Sequence, residues 1–167
     1  MSYQDFINNK RIEDVPTGIK EVPELNKNLF PFQRDIVRWA LKRGRACIFS
    51  ECGTGKTIMQ LSWAHQVADY TKGSVLIISP LAVSEQTIRE GKKFGIDVEL
   101  LTSDTFGNPG VYITNYEKIH KYELSAFKGI VLDESSILKS YTGKFRTQII
   151  ENTRSVKFRL ACTATRS

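Results

Sequence analysis

The sequence predicts an α/β fold: a three-layer sandwich in which a mostly parallel sheet carries helices on both faces. Short continuous apolar runs such as Val75-Leu76-Ile77-Ile78 and Ile130-Val131-Leu132 lack the alternation of a half-exposed strand, so they read as strands covered on both sides. Helical stretches separate these runs, which makes the strand connections crossovers and the neighbouring strands parallel. In such sheets ligands sit beyond the carboxyl ends of the strands. The residues just after each apolar run are therefore the ones to inspect.

Residues 1–28 are polar, contain Pro16 and Pro23, and show no sustained period; they are expected to form an N-terminal extension laid against a lobe spanning 29–165. Phe32, Ile36, Trp39 and Ala40 fall at helical spacing, predicting an amphipathic helix over 31–43 that ends near Gly44. Ala46-Cys47-Ile48-Phe49 is the first predicted buried strand, and 56–70 the next helix, with Ile58, Leu61, Trp63, Ala64 and Val67. Val75 to Ile78 is a second strand, closed by Ser79-Pro80, and a helix follows over about 83–94. Strands are predicted at Val98-Glu99-Leu100-Leu101, Val111-Tyr112-Ile113 and Ile130-Val131-Leu132, with a short helix from about Tyr116. A helix over about 144–152 precedes a last strand, Phe158-Arg159-Leu160-Ala161-Cys162. There is no internal repeat and no low-complexity segment.

At 167 residues the chain can bury one real hydrophobic core. With 41% apolar and 25% charged residues it has the balance of an ordinary globular domain. No apolar stretch approaches the roughly 20 residues that span a bilayer. The start, Met-Ser-Tyr-Gln-Asp-Phe, lacks the layout of a signal peptide, so no membrane partner and an intracellular, cytoplasmic location are expected. Cys47, Cys52 and Cys162 form no C-x-x-C pair and neighbour neither His65 nor His120; they are expected to be reduced, two of them on buried strands, with no zinc site. The net charge of +6 fits a polyanionic partner without demanding one.

After the first strand comes Ser50-Glu51-Cys52-Gly53-Thr54-Gly55-Lys56-Thr57, and then a helix. This is the phosphate-binding pattern G-x-x-x-x-G-K-[ST] with Ser50 in the first glycine position. Gly53 and Gly55 allow a tight turn that aims N–H groups, Thr54's among them, at phosphate oxygens. The helix N-terminus favours the anion. Lys56 is placed to reach the β- and γ-phosphates of ATP, and the Thr57 hydroxyl to ligate Mg2+. A second pattern, Asp133-Glu134, follows a buried strand, where two carboxylates are costly unless a cation or water serves them. Asp133 suits holding Mg2+, partly through water, and Glu134 suits activating the attacking water.

Together these residues resemble the first motor lobe of the superfamily-two DEAD/DEAH-like helicases, most closely the Swi/Snf-type translocases and their bacterial and phage relatives. The resemblance runs from about Leu29 to Thr165. It implies a RecA-like fold of the P-loop NTPase kind and an ATP hydrolase that moves along nucleic acid, DNA rather than RNA, by translocation or unwinding. Leu29-Phe30-Pro31-Phe32-Gln33 is similar to the adenine-recognising Q element, which assigns Gln33 to the base. Ser79 and Pro80, and Thr114 and Asn115, match segments that touch nucleic acid; Thr163-Ala164-Thr165 matches the one that relays the nucleotide state. In the acidic motif Ser135-Ser136 replace the usual last two residues, while Ile137-Leu138-Lys139-Ser140 resembles its Swi/Snf-type extension. The family normally continues with proline after Thr165, so Arg166-Ser167 are expected to be foreign to the lobe.

The resemblance also implies a second RecA-like lobe of the same protein, absent from this sequence, that supplies arginine fingers worth about 10³–10⁵ in rate. The isolated lobe is expected to be nearly inactive. Two alternatives stay open from sequence: a P-loop motor subunit of a restriction or DNA-packaging system, and a non-catalytic nucleic-acid-binding scaffold of the same fold.

Overall fold

The computed structural model describes residues 16–50, 55–103, 107–135 and 143–164. Cys52, Gly53, Thr54, Thr165, the segment 136–140 and residues 166–167 lie outside them. In order, the elements are α1 (Pro31–Arg43), β1 (Arg45–Ser50), α2 (Lys56–Thr71), β2 (Ser74–Ser79), α3 (Ser84–Lys93), β3 (Val98–Leu100), β4 (Gly110–Asn115), β5 (Gly129–Leu132), α4 (Gly143–Thr153) and β6 (Phe158–Ala164). The six-stranded sheet has the order β1-β6-β5-β2-β4-β3, and every neighbouring pair is parallel.

Apolar residues on both strand faces are what make this a sandwich. Ile48, Val75, Ile77, Val131 and Leu160 join α1, α2 and α3 in the larger core. Leu76, Ile78, Tyr112 and Ile130 point the other way and pack with Ile149 of α4. The expected three layers are therefore present. Because all strands run parallel, all their carboxyl ends open on one edge.

Residues 17–19 bond back to the last turn of α1, through Thr17 N–H to Arg43 O (3.1 Å), Gly18 N–H to Lys42 O (3.0 Å) and Ile19 N–H to Leu41 O (2.9 Å). Ile19, Leu25 and Leu29 are buried in the larger core.

Three local expectations need correction. Helix α1 buries Gln33, Val37, Ala40 and Leu41, while Phe32 and Trp39 stay 49% and 48% exposed. An apolar-rich helix offers more than one stripe at i, i+4 spacing, and packing selects the one that meets α2 and β1. The segment after Tyr116, expected to be a short helix, forms two 3-10 turns, Ile119–Lys121 and Leu124–Ala126. Cys162 is buried but Cys47 is exposed. Strand β1 is an edge of the sheet whose second face, with Phe49, is left open.

Ile77 is fully buried between the layers. Ile77→Ala is expected to cost about 2–5 kcal/mol in urea unfolding, whereas Leu81→Ala, at an exposed turn, should cost under about 0.5 kcal/mol. Burial pushes the Cys162 thiol up to about 12, with a hydrogen bond from Gln60 partly opposing the shift. A raised thiol pKa means less thiolate at any pH below it. Partial burial pushes the Cys47 thiol up as well, but its side chain is exposed. At pH 8 iodoacetamide is therefore expected to label Cys47 in the folded chain and Cys162 only after denaturation, as read by peptide mass spectrometry.

Candidate active site

The carboxyl edge of the sheet gathers most of the chemistry-bearing residues. Gly55 is the N-cap of α2 with φ 82° and ψ 36°, in the left-handed region that glycine enters freely. A side chain at 55 would also collide with the amide nitrogen of Gln33. Gln33 is itself buried, and its Oε1 accepts the Phe30 N–H at 2.8 Å. The start of α1 and the start of α2 are thus in contact.

Lys56 and Thr57 form the first turn of α2. The Lys56 Nζ lies 3.2 Å from Asp133 Oδ1 and also donates to Glu134 Oε1. Strand β6 separates β1 from β5, so their ends are about 10 Å apart at the usual strand spacing. One extended lysine side chain bridges that gap. The Lys56 and Asp133 side chains are 20% and 9% exposed, Glu134 33%. Charges so shielded interact more strongly than on an open surface. One cation between two carboxylates leaves the cluster net negative, a setting that favours a further cation.

Asp133 is fixed from three directions. Its N–H donates to Ile78 O at 2.8 Å, its carbonyl accepts the Tyr116 hydroxyl at 2.8 Å, and its Oδ1 accepts Gln60 Nε2–H at 2.9 Å. The next residue, Glu134, has φ 53°, uncommon for a side-chain-bearing residue and costing about 1–2 kcal/mol. The Tyr116 bond to the preceding carbonyl helps hold that turn.

A family model described as DEAD/DEAH box helicase matches residues 30–167. The chain belongs to the DEAD/DEAH box helicase family. A Xenopus tropicalis protein, SWI/SNF-related matrix-associated actin-dependent regulator of chromatin subfamily A-like protein 1, is 28% identical over 142 residues, covering 72% of this chain and 15% of that protein. The Sulfolobus solfataricus SWI2/SNF2 ATPase core in complex with dsDNA superposes with a TM-score of 0.66 at 23% identity, over 87% of this chain and 34% of that one. UvsW of bacteriophage T4 gives a TM-score of 0.71 at 18% identity, over 97% of this chain and 40% of that one. At these identities the structural likeness speaks for the fold. The chain spans well under two thirds of each of these relatives.

Members of a helicase family bind nucleotide, and the cluster has a suitable donor set for the magnesium that usually accompanies it. Among the described residues no group of three or more His, Cys, Asp or Glu could cage a metal. Magnesium at a phosphate site needs no such cage: one or two protein oxygens suffice, with waters and phosphates completing the shell. Thr57 and Asp133 offer a hydroxyl and a carboxylate at the same edge.

The residues matched to nucleic-acid contact sit differently from the simple expectation. Ser79, Thr114 and Asn115 are all buried. The Ser79 hydroxyl pairs with that of Ser84 at 3.0 Å, and Asn115 Oδ1 accepts the N–H groups of Glu117 (3.0 Å) and Lys118 (3.2 Å). The Ser79 and Asn115 side chains brace their loops, and Thr114 is buried within β4. What the loops turn outward is Leu81, Ala82, Glu117 and Lys118, with Pro80 half-buried. Thr163 faces Phe49 across the β1–β6 pair. Among the described residues no helix is long and apolar enough to cross a membrane.

Two residues escaped sequence reasoning. Gln60 had a usable signal: a polar side chain on a mostly apolar helix, one turn beyond Lys56 and so on the same face. Tyr116 had none, since a buried tyrosine looks like any core aromatic. Gly55→Ala combines the left-handed backbone with the Gln33 collision, and is expected to weaken ATP binding by at least about tenfold in a fluorescence titration; unchanged affinity would show that this turn does not form the phosphate site.

Proposed function

We propose that this chain is the ATP-binding lobe of a motor that couples ATP hydrolysis to movement along nucleic acid, with DNA as the track. The observation that carries the proposal is the Lys56 ammonium bridging from the start of α2 to both Asp133 and Glu134. It puts a phosphate-binding lysine and an acid pair within one side chain's reach at the carboxyl edge of a parallel sheet.

Each residue then has a role. Gly55 and the N-terminus of α2 offer N–H groups to the phosphates. Lys56 leaves the carboxylates and pairs with the β- and γ-phosphates. Asp133 and the Thr57 hydroxyl hold Mg2+, which supplies charge neutralisation at the phosphate oxygens. Freed from Lys56, Glu134 orients the attacking water and takes its proton. Gln33 and the exposed Phe30 and Phe32 rings, stacked 6.3 Å apart at the start of α1, serve the adenine side.

The Sulfolobus relative's capture on dsDNA supports DNA as the track, as does the net charge of +6. The half-buried Pro80 and the outward Leu81 and Lys118 would contact the backbone, on loops braced by Ser79 and Asn115 at the strand ends that carry Thr114, while Thr163 and Thr165 would relay the nucleotide state. Because the relatives are longer, a second RecA-like lobe of the same protein is proposed to complete the site.

In this chain, Lys56→Ala is expected to weaken ATP binding at least about tenfold, and turnover should stay near background with or without dsDNA. In the full-length motor, Glu134→Gln should keep ATP binding and cut turnover by about 10²–10⁴. Brisk DNA-stimulated hydrolysis by the lobe alone would contradict the need for a second lobe. Undiminished turnover in Glu134→Gln would contradict the role of the acid pair.

A further inference from the structure

Asp133 has two carboxylate oxygens with different surroundings. Oδ1 accepts Gln60 Nε2–H at 2.9 Å and lies 3.2 Å from Lys56 Nζ. No described residue bonds to Oδ2. Gln60 is 1% exposed, in the middle of the helix that presents Lys56 and Thr57 at its first turn. Its neighbours Ile58, Met59 and Leu61 are buried in the larger core, so this part of α2 has little freedom to shift against the sheet.

We propose that Gln60 is a positioning residue that aims Asp133 at the divalent cation, by holding Oδ1 with a neutral donor and leaving Oδ2 to face the metal. The inference rests on the nucleotide site proposed above. A buried carboxylate needs a donor to fix its rotation, but a lysine or arginine in that place would neutralise it and compete with the cation. An amide orients the group and leaves its charge intact. Because one helix carries both Thr57 and Gln60, it sets the spacing between the hydroxyl and the carboxylate that hold the cation. Outer partners of this kind typically govern metal affinity by 10–100-fold.

A merely structural Gln60 would alter stability and all nucleotide binding alike, whereas a positioning Gln60 acts only when the metal is present. ATP affinity of this chain is measured with Mg2+ and with EDTA, for the wild type, Gln60→Met, which keeps the length and removes the donor, and Gln60→Glu, which turns the donor into an acceptor. The EDTA affinity is expected to stay within about twofold in both variants, while the gain on adding Mg2+ falls at least about tenfold. Equal weakening with and without Mg2+, or a full Mg2+ gain in Gln60→Met, overturns the proposal.

Amide NMR of the wild type makes the test independent of variant folding. The Gln60 side-chain NH2 signals should move when Mg2+ is added to the ATP-bound chain; signals that stay put overturn the proposal. A wild type that binds no ATP removes the nucleotide site itself, and one that binds ATP without any Mg2+ gain removes the cation reading; either takes the proposal with it. A wild-type gain retained in full by the variants removes only the role of Gln60.

Discussion

A single lysine bridging two carboxylates across the open edge of a parallel sheet is the interaction on which the rest of this structure turns. Lys56 reaches from the first turn of α2 to Asp133 and Glu134 beyond β5, past the intervening strand β6. Half-shielded from water, this pairing holds two negative groups close together that would otherwise repel. In the proposed cycle it is also an exchange site. With its lysine drawn onto the phosphates, Asp133 would be free to hold a divalent cation and Glu134 to act on water. For Asp133 the lysine and the cation would alternate, so this buried carboxylate need not stand uncompensated in either state.

The fold supplies this geometry through a few tight constraints. Parallel pairing brings the ends of β1, β2, β4, β5 and β6 to one edge. The amide of Asp133 bonds to β2, its carbonyl to the Tyr116 hydroxyl beyond β4, and its side chain to α2. Three bonds from separate parts of the fold thus converge on one residue, immediately before the left-handed turn at Glu134. The adjoining loops are stiffened from inside by buried Ser79 and Asn115 and present other residues outward. Tyr116, directly after β4, bonds the carbonyl of Asp133 and so ties the loop that carries Glu117 and Lys118 to the acid pair.

Much of this was legible in the residues. Uninterrupted apolar runs marked β2, β4 and β5 as strands buried on both faces, and the turn into Lys56-Thr57 and the pair Asp133-Glu134 stood where carboxyl ends had to be. Packing choices were less legible. Composition could not tell which of two apolar stripes α1 would bury, so Phe32 and Trp39 proved half-exposed while the polar Gln33 went inside. Edge position is a property of the sheet, and it leaves Cys47 exposed. Gln60 and Tyr116 matter for partners that lie 73 and 17 residues away in the chain, and no local pattern announces such bonds. Ser79, Thr114 and Asn115 matched a motif, but the motif could not show that their side chains turn inward.

The most direct test of the central claim is the position of the cation. A crystal of this lobe grown with a non-hydrolysable ATP analogue and Mn2+ in place of Mg2+ would give an anomalous peak. The account predicts that peak between the Thr57 hydroxyl and Asp133, with Lys56 withdrawn from the carboxylates onto the phosphates. A peak elsewhere, or a bound nucleotide with Lys56 still clasped by Asp133 and Glu134, would contradict it.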